Sequence, residues 1–452
     1  MKSGFRHHIR LCCPLLYLFL SVVAPSQNNT QLHSENVSQQ AIQLNQQGED
    51  LLAKKDYAAA AKQFRKALAI QPDYEDAVRN LGVALESAGK DKEAVADFQK
   101  AIKLAPDDAI AQKDMGHAFF HEGKYEDSLN SYRKAVSIHE NYPDAYNGIG
   151  AALLKLGRTD EAITAFEKAA ALDPKNVDAL NNAGAALLGI HRGAESLPYF
   201  EQAVQLKPDA YDILENYGAA LQETGRTDEA IAAYEKVTKN RSNEAAAWTQ
   251  LGHCYYAAKR YAEAETSFQK SLHLKPNQPD VLFALGASCH EQGKVKEAMQ
   301  AYEKGLALKP DDPDGLYNLA NAYQSQKEYE KAIKEYNKAL AARPAFPQAL
   351  AGLAASQMAA NKLDDAIKSY QSLIAAQPED PALRFNLGTA LFNKGDFRGA
   401  ADSYREAARL KPDFAHAYYN LGQALLRLSD SKGAQAAFDE AHRLDASLNA
   451  PK

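Results

Sequence analysis

The chain has 452 residues, 46% hydrophobic and 24% charged, with 52 Lys and Arg against 58 Asp and Glu for a formal charge of −6. A mildly acidic chain with no basic stripe argues against nucleic acid as a partner, because phosphates must be neutralised by Lys and Arg. The same balance disfavours an anionic membrane surface.

The first 26 residues read as a signal peptide. Lys2, Arg6 and Arg10 form a positive start, Leu11 to Ala24 is an apolar run of fourteen, and Ala24-Pro25-Ser26 offers small residues for cleavage after Ser26. The run is shorter than the ~20 residues needed to cross a bilayer. The expectation is an exported protein, periplasmic or secreted, with no membrane span after cleavage. Residues 27–40 (QNNTQLHSENVSQQ) are polar without a helical stripe and are expected to form a disordered spacer.

From Ala41 the chain repeats every 34 residues, and twelve copies reach Leu448 without insertion or deletion, leaving a short tail at 449–452. Each column has a physical task. Position 8 is Gly or Ala (Gly48, Gly82, Gly116 and onward to Gly422, with Ala320 and Ala354), as two closely crossing helices require. Position 20 is Ala except at Ser128 and Ser196, for the same reason on the second helix. Position 24 is aromatic throughout, from Phe64 and Phe98 to Tyr404 and Phe438, and is expected to fill the space between successive hairpins. Position 15 is often Gly (Gly89, Gly123, Gly157, Gly225, Gly293, Gly395), where a first helix ends in a left-handed cap. Near position 32 a Pro recurs, followed by Asp or Asn, to stop one helix and cap the next.

These columns resemble the tetratricopeptide repeat family over about nine-tenths of the chain. The resemblance implies an all-α, right-handed superhelical solenoid of antiparallel helix pairs, with the first helix of each pair lining a concave groove. A lone 34-residue hairpin cannot bury its apolar face, so neighbour stacking supplies stability and residues 41–448 are expected to form one solenoid. Three departures stand out. Pro198 falls inside the second helix of repeat five and should delay or kink it. Val237 and Ser242 break the columns of repeat six, and Leu373 stands where Ala is usual in repeat ten. The last repeat lacks a polar capping helix, which would suit self-association through its open face.

The register also says which residues can do chemistry. Cys254 and Cys289, next to His253 and His290, look like a zinc cluster, but they occupy packed columns and are expected to be core residues. Asp114, His117 and His121 are spaced i, i+3 and i+7 on one helical face at positions the family places in the groove, which makes them a candidate site for a divalent metal. No catalytic constellation is present: the glycines belong to the repeat or its turns, and no cofactor is implied. A protein or peptide ligand is therefore expected. Position 6 carries Asn80, Asn182, Asn216, Asn318, Asn386 and Asn420, an amide ladder able to hold a peptide backbone with little sequence preference. The ladder is similar to that of the repeat superhelix in O-linked N-acetylglucosamine transferase, without that enzyme's catalytic domain. Position 5 becomes aromatic toward the C-terminus (Phe283, Tyr317, Phe385, Tyr419), offering apolar anchors beside the amides. The Lys and Asn pattern of chaperone-tail carboxylate clamps is missing. The reading is a non-enzymatic, exported interaction scaffold. Its alternatives are a recruiting or regulatory subunit of a separately encoded envelope enzyme or polysaccharide-export complex, and a self-associating structural protein.

Overall fold

The computed structural model describes residues 37–448. The proposed signal segment lies outside the described residues, as does most of the polar spacer. The described chain is helical hairpins joined by short turns, and it divides into two compact units, one ending at Asn240 and the other beginning at Arg241. That boundary falls in the repeat whose Val237 and Ser242 depart from the columns.

The first unit stacks α1 (Gln39–Ala53), α2 (Tyr57–Ile70), α3 (Glu75–Ser87), α4 (Asp91–Leu104), α5 (Ala109–His121), α6 (Tyr125–Ile138), α7 (Pro143–Lys155), α8 (Thr159–Leu172), α9 (Val177–Gly189), α10 (Gly193–Leu206), α11 (Tyr211–Glu223) and α12 (Thr227–Asn240). The second stacks α13 (Ala245–Ala257), α14 (Tyr261–Leu274), α15 (Pro279–Glu291), α16 (Val295–Leu308), α17 (Pro313–Ser325), α18 (Tyr329–Ala342), α19 (Pro347–Ala359), α20 (Leu363–Ala376), α21 (Pro381–Lys394), α22 (Phe397–Leu410), α23 (Ala415–Arg427) and α24 (Ser431–Leu444). Odd-numbered helices are the first of each hairpin. Within each unit successive first helices also meet one another, α3 with α1 and α5, and α15 with α13 and α17. The first-helix side is thus the closely spaced inner face of each stack. Among the described residues no helix is long and apolar enough to cross a membrane.

What closes ten of the twelve hairpins is a ring on a glycine, with Ala320 and Ala354 in that place in the other two. A methyl group on Gly150 would lie 2.6 Å from Phe166, on Gly82 2.6 Å from Phe98, and on Gly252 2.6 Å from Phe268. All twelve position-24 rings are buried, none more than 4% exposed. The ring therefore sits first against its own repeat's position 8, and not simply between hairpins as the columns suggested. Tyr132 and Tyr336 reach further and press on Gly148 and Gly352 of the following repeat. The two serines of column 20 bury their hydroxyls by donating to backbone carbonyls, Ser128 to Gly116 and Ser196 to Gly193, both at 2.7 Å. That bond offsets the desolvation that makes Ala the commoner choice.

Position 15 adopts positive φ in every repeat: at the six expected glycines, and also at Lys55, His191, Lys259, Lys327, Asn361 and Ser429, with φ between 58° and 63°. The turn geometry is common to all twelve hairpins, and half of them adopt it with a residue that has a Cβ. Side-chain caps on the following first helix come from position 34, one residue later than the Pro-Asp pattern indicated, at Asp108, Asn176, Asp312 and Asp380. The helix containing Pro198 starts at Gly193, in register with the others. Pro198 is its sixth residue, so a single backbone bond is lost early and the helix neither starts late nor ends. At the other end, α1 begins at Gln39, and Val37 packs against the cluster of Ala41, Ala67 and Ala77. Ser38 N–H also donates to Gln71 at 2.9 Å, so residues 37–40 belong to the first hairpin.

Left-handed backbone costs an L-residue about 1–2 kcal/mol, partly offset by the entropy that Gly loses on folding. Lys259→Gly, at an exposed turn, should stabilise the second unit by roughly 0.5–1 kcal/mol, and Gly157→Ala should destabilise the first by about 1 kcal/mol. Gly150→Ala should cost about 2–3 kcal/mol, because Phe166 must leave its seat. Urea denaturation of each variant beside the wild type checks all three.

Candidate functional site

In the first unit the position-6 amides run along the inner face as the sequence indicates, but their bonds are made within the protein. Asn80 Nδ2 donates to Asn45 Oδ1 at 3.2 Å and to Glu49 Oε1 at 3.0 Å. Asn182 Nδ2 donates to Asn147 Oδ1 at 2.9 Å, and Asn216 Nδ2 to Asn181 Oδ1 at 3.1 Å. Each acceptor asparagine is the position-5 residue of the preceding repeat. The three donors are 3%, 0% and 4% exposed. These amides pin one first helix to the next. The partners Asn45, Asn147 and Asn181 were missed in the sequence, although an Asn at position 5 one repeat ahead of an Asn at position 6 is the signal.

In the second unit that pairing fails, because position 5 is no longer an amide. Phe283 precedes Asn318, and Ala351 precedes Asn386. Neither Asn318 nor Asn386 makes a side-chain hydrogen bond among the described residues; Asn318 is buried at 7% exposure and Asn386 is half-buried. Gln250, in the same column, has a buried Oε1 without a partner. Asn420 bonds the Tyr404 hydroxyl, which also donates to Thr389 Oγ1 at 3.2 Å.

The four position-5 rings are half-buried, with one edge in the packing. Phe283 is wedged between helices, and a methyl group on Gly315 would lie 2.6 Å from its ring. Gly305, which replaces Ala in column 27, is tight against it too. Tyr317 stacks at 5.1 Å on Phe346, Phe385 at 5.0 Å on Phe414, and Tyr419 at 5.5 Å on Phe438. Leu373, which also replaces the Ala usual at position 27, is buried with Tyr370 and Leu387.

Repeats two and three hold a different set of groups. Arg79 bridges Asp76 and Asp108, each at 3.1 Å. Lys113 Nζ lies 2.6 Å from Asp114. Burial favours the neutral amine of Lys113, but the Asp114 carboxylate outweighs it and holds the ammonium above its ordinary range. Asp114 is thus occupied as the counter-ion of a buried lysine. The carboxylate that meets His117 is Glu86, from the first helix of the preceding repeat, which contacts Nδ1 of the imidazole. His117 and His121 lie edge to face with centroids 4.6 Å apart. Glu86 was invisible to a single-helix pattern because it comes from the neighbouring hairpin.

Cys254 and Cys289 are free and buried, as expected of core residues. Burial pushes their thiols up to about 12 and about 11, far from a reactive or metal-binding thiolate at neutral pH.

Segments along both units match tetratricopeptide repeat profiles. One, described as TPR repeat, matches residues 116–157, 286–327 and 388–429. Others, described as tetratricopeptide repeat, match 45–109, 181–245, 218–279 and 351–406, then 143–176 and 313–346, and finally 415–447. No protein of curated function matches the chain. Among solved structures, YrrB, a TPR protein with an unusual peptide-binding site, is 26% identical with a TM-score of 0.40, covering 41% of this chain and 96% of its own. The C-terminal part of a TPR repeat-containing protein from Cytophaga hutchinsonii is 22% identical with a TM-score of 0.45, covering 53% and 98%. The Cut9–Hcn1 hetero-tetramer of APC/C is 15% identical with a TM-score of 0.37, covering 90% and 94%.

The two kinds of amide should respond differently to truncation. Asn182→Ala removes a buried bond and should cost about 1–2 kcal/mol. Asn318→Ala removes no bond and should change stability by less than about 0.5 kcal/mol. Paired denaturation curves decide this, and equal losses would show that the two amides are held alike.

Proposed function

The chain belongs to the tetratricopeptide repeat family, whose arrays are in general non-catalytic protein–protein interaction scaffolds, and we propose that this one is an exported scaffold holding an extended polypeptide along the inner face of its second unit. The observation that carries this reading is the contrast between the amides. Asn80, Asn182 and Asn216 use their donors to pin one first helix to the next, with the Asn182 oxygen left buried and unbonded, whereas Asn318 and Asn386 stand on the same face without a side-chain hydrogen bond among the described residues. The side-chain oxygen and nitrogen of Asn318 and Asn386 are not sealed from solvent, so a ligand backbone can supply an acceptor and a donor to each. Phe385 and Tyr419, half-buried beside Asn386 and Asn420, add apolar surface already ordered by packing, so little side-chain entropy is lost on binding.

An amide reads a peptide backbone and not its side chains, so this face suits a ligand chosen by extended shape and a few apolar residues. Export rests on the charge and apolar run of residues 1–26. Cell fractionation tests it separately: the mature chain, starting after Ser26, is expected outside the cytoplasm.

The binding test is a cross-linked pull-down with the full-length chain as bait, beside a variant carrying Asn318→Ala, Asn386→Ala, Asn420→Ala and Phe385→Ala. A partner bound at least tenfold more weakly by the variant, at matched helical content, is the expected result. Equal recovery by both baits removes the inner face of the second unit as the binding surface.

A further inference from the structure

We infer that Glu86, His117 and His121 form a binding site for a first-row divalent metal ion of the zinc class, built across the second and third hairpins of the first unit. Their ligand atoms all lie within 4.8 Å of one another, two from α5 and one from α3. Zinc bonds of about 2.0–2.2 Å place donor atoms roughly 3.3 Å apart, so small side-chain rotations complete the set. The i, i+4 histidines stand one turn apart on a single helix, and Glu86 comes to them from the preceding first helix.

The chemistry of the donors favours this reading over a simple hydrogen-bonded pair. Glu86 and His117 are nearly covered, their side chains 10% and 12% exposed, while His121 is exposed. Glu86 meets one ring nitrogen of His117, and the other, Nε2, is buried without a hydrogen-bond partner. A covered carboxylate beside an imidazole with an unused nitrogen leaves both charge and a lone pair to be satisfied. A divalent cation seated between Glu86 and Nδ1 neutralises the carboxylate and takes the imidazole lone pair there, with the ring proton on Nε2. Two imidazoles and one carboxylate select zinc, cobalt, nickel or copper over calcium or magnesium, which prefer oxygen donors throughout. Three protein ligands leave a coordination position open to water or to a donor group from outside, entered from the exposed His121 side.

Asp114 is outside the set, because Lys113 holds it at 2.6 Å. Since the ligands come from two hairpins, a bound ion cross-links successive repeats and should raise the stability of the first unit in proportion to its occupancy.

The test is titration of the chelator-stripped full-length chain with Co²⁺, read by visible absorption, and with Zn²⁺, read by competition with a chelating dye. The wild type should bind one equivalent that is at least tenfold weaker in His121→Ala, His117→Ala and Glu86→Gln. His121 is exposed and Glu86→Gln preserves side-chain shape, so these two decide the matter even if His117→Ala unfolds. The full chain also carries His7, His8, Cys12 and Cys13. Only the equivalent that differs between wild type and variants is therefore counted, and it should show no thiolate-to-cobalt charge-transfer band. Thermal melting supplies a second readout: Zn²⁺ should raise the wild-type transition and leave that of His121→Ala unmoved. Matching stoichiometry and affinity within twofold for the wild type, His121→Ala and Glu86→Gln overturns the assignment.

Discussion

The seating of an aromatic ring on a backbone without a side chain is the contact on which the rest of the molecule depends. Phe166 on Gly150 and its equivalents in the other hairpins set how closely two helices approach. That distance leaves room for Ala and little else at position 20, which is why Ser128 and Ser196 turn their hydroxyls back onto carbonyls. It also demands a tight reversal after the first helix. The left-handed residue at position 15 is the consequence, and the demand is strong enough that Lys, His, Asn and Ser adopt it where Gly is missing. Each hairpin is thus a rigid block, but one whose apolar side is open until the next is laid against it.

How successive blocks are joined on the inner face differs between the units. In the first, amides of adjacent repeats bond each other, and ion pairs such as Arg79 with Asp76 and Asp108 add to the join. In the second, position-5 rings turn to rings of their own repeat, Tyr317 and Phe385 to the position-34 rings that lead into the next hairpin and Tyr419 to the position-24 ring of its own hairpin. Either join stabilises the stack, but they leave different things over. Amide pairing takes up the side-chain donors of Asn80, Asn182 and Asn216. Ring stacking leaves neighbouring amides such as Asn318 and Asn386 with nothing to bond. The same column of asparagines is therefore bonded across repeats in one unit and, at Asn318 and Asn386, unbonded in the other.

Between repeats two and three the amide pair gives way to charged groups. Their inner face is charged, with Lys113 neutralised by Asp114 and Glu86 turned to His117. Buried charges of this kind add little to stability on their own, since desolvation offsets most of the attraction. Their persistence in an array built from Ala, Leu and aromatic columns is what draws attention to the histidines as a site for an ion.

The sequence by itself determined the helical hairpin, its length, its closing ring, its small-residue columns and the left-handed glycines, because these are properties of one repeat and every repeat states them again. It marked the inner-face columns too, since position within a helix decides which way a side chain points. What only the tertiary structure decided lies between repeats. Whether Asn182 is pinned by Asn147, whether Phe283 is held by Gly305 and Gly315, and whether Glu86 or Asp114 faces His117 all depend on residues about 30 positions apart. These meet only after stacking. A column records the kind of residue at a position but not which neighbour reaches it, and that neighbour decides whether the side chain is bonded within the protein.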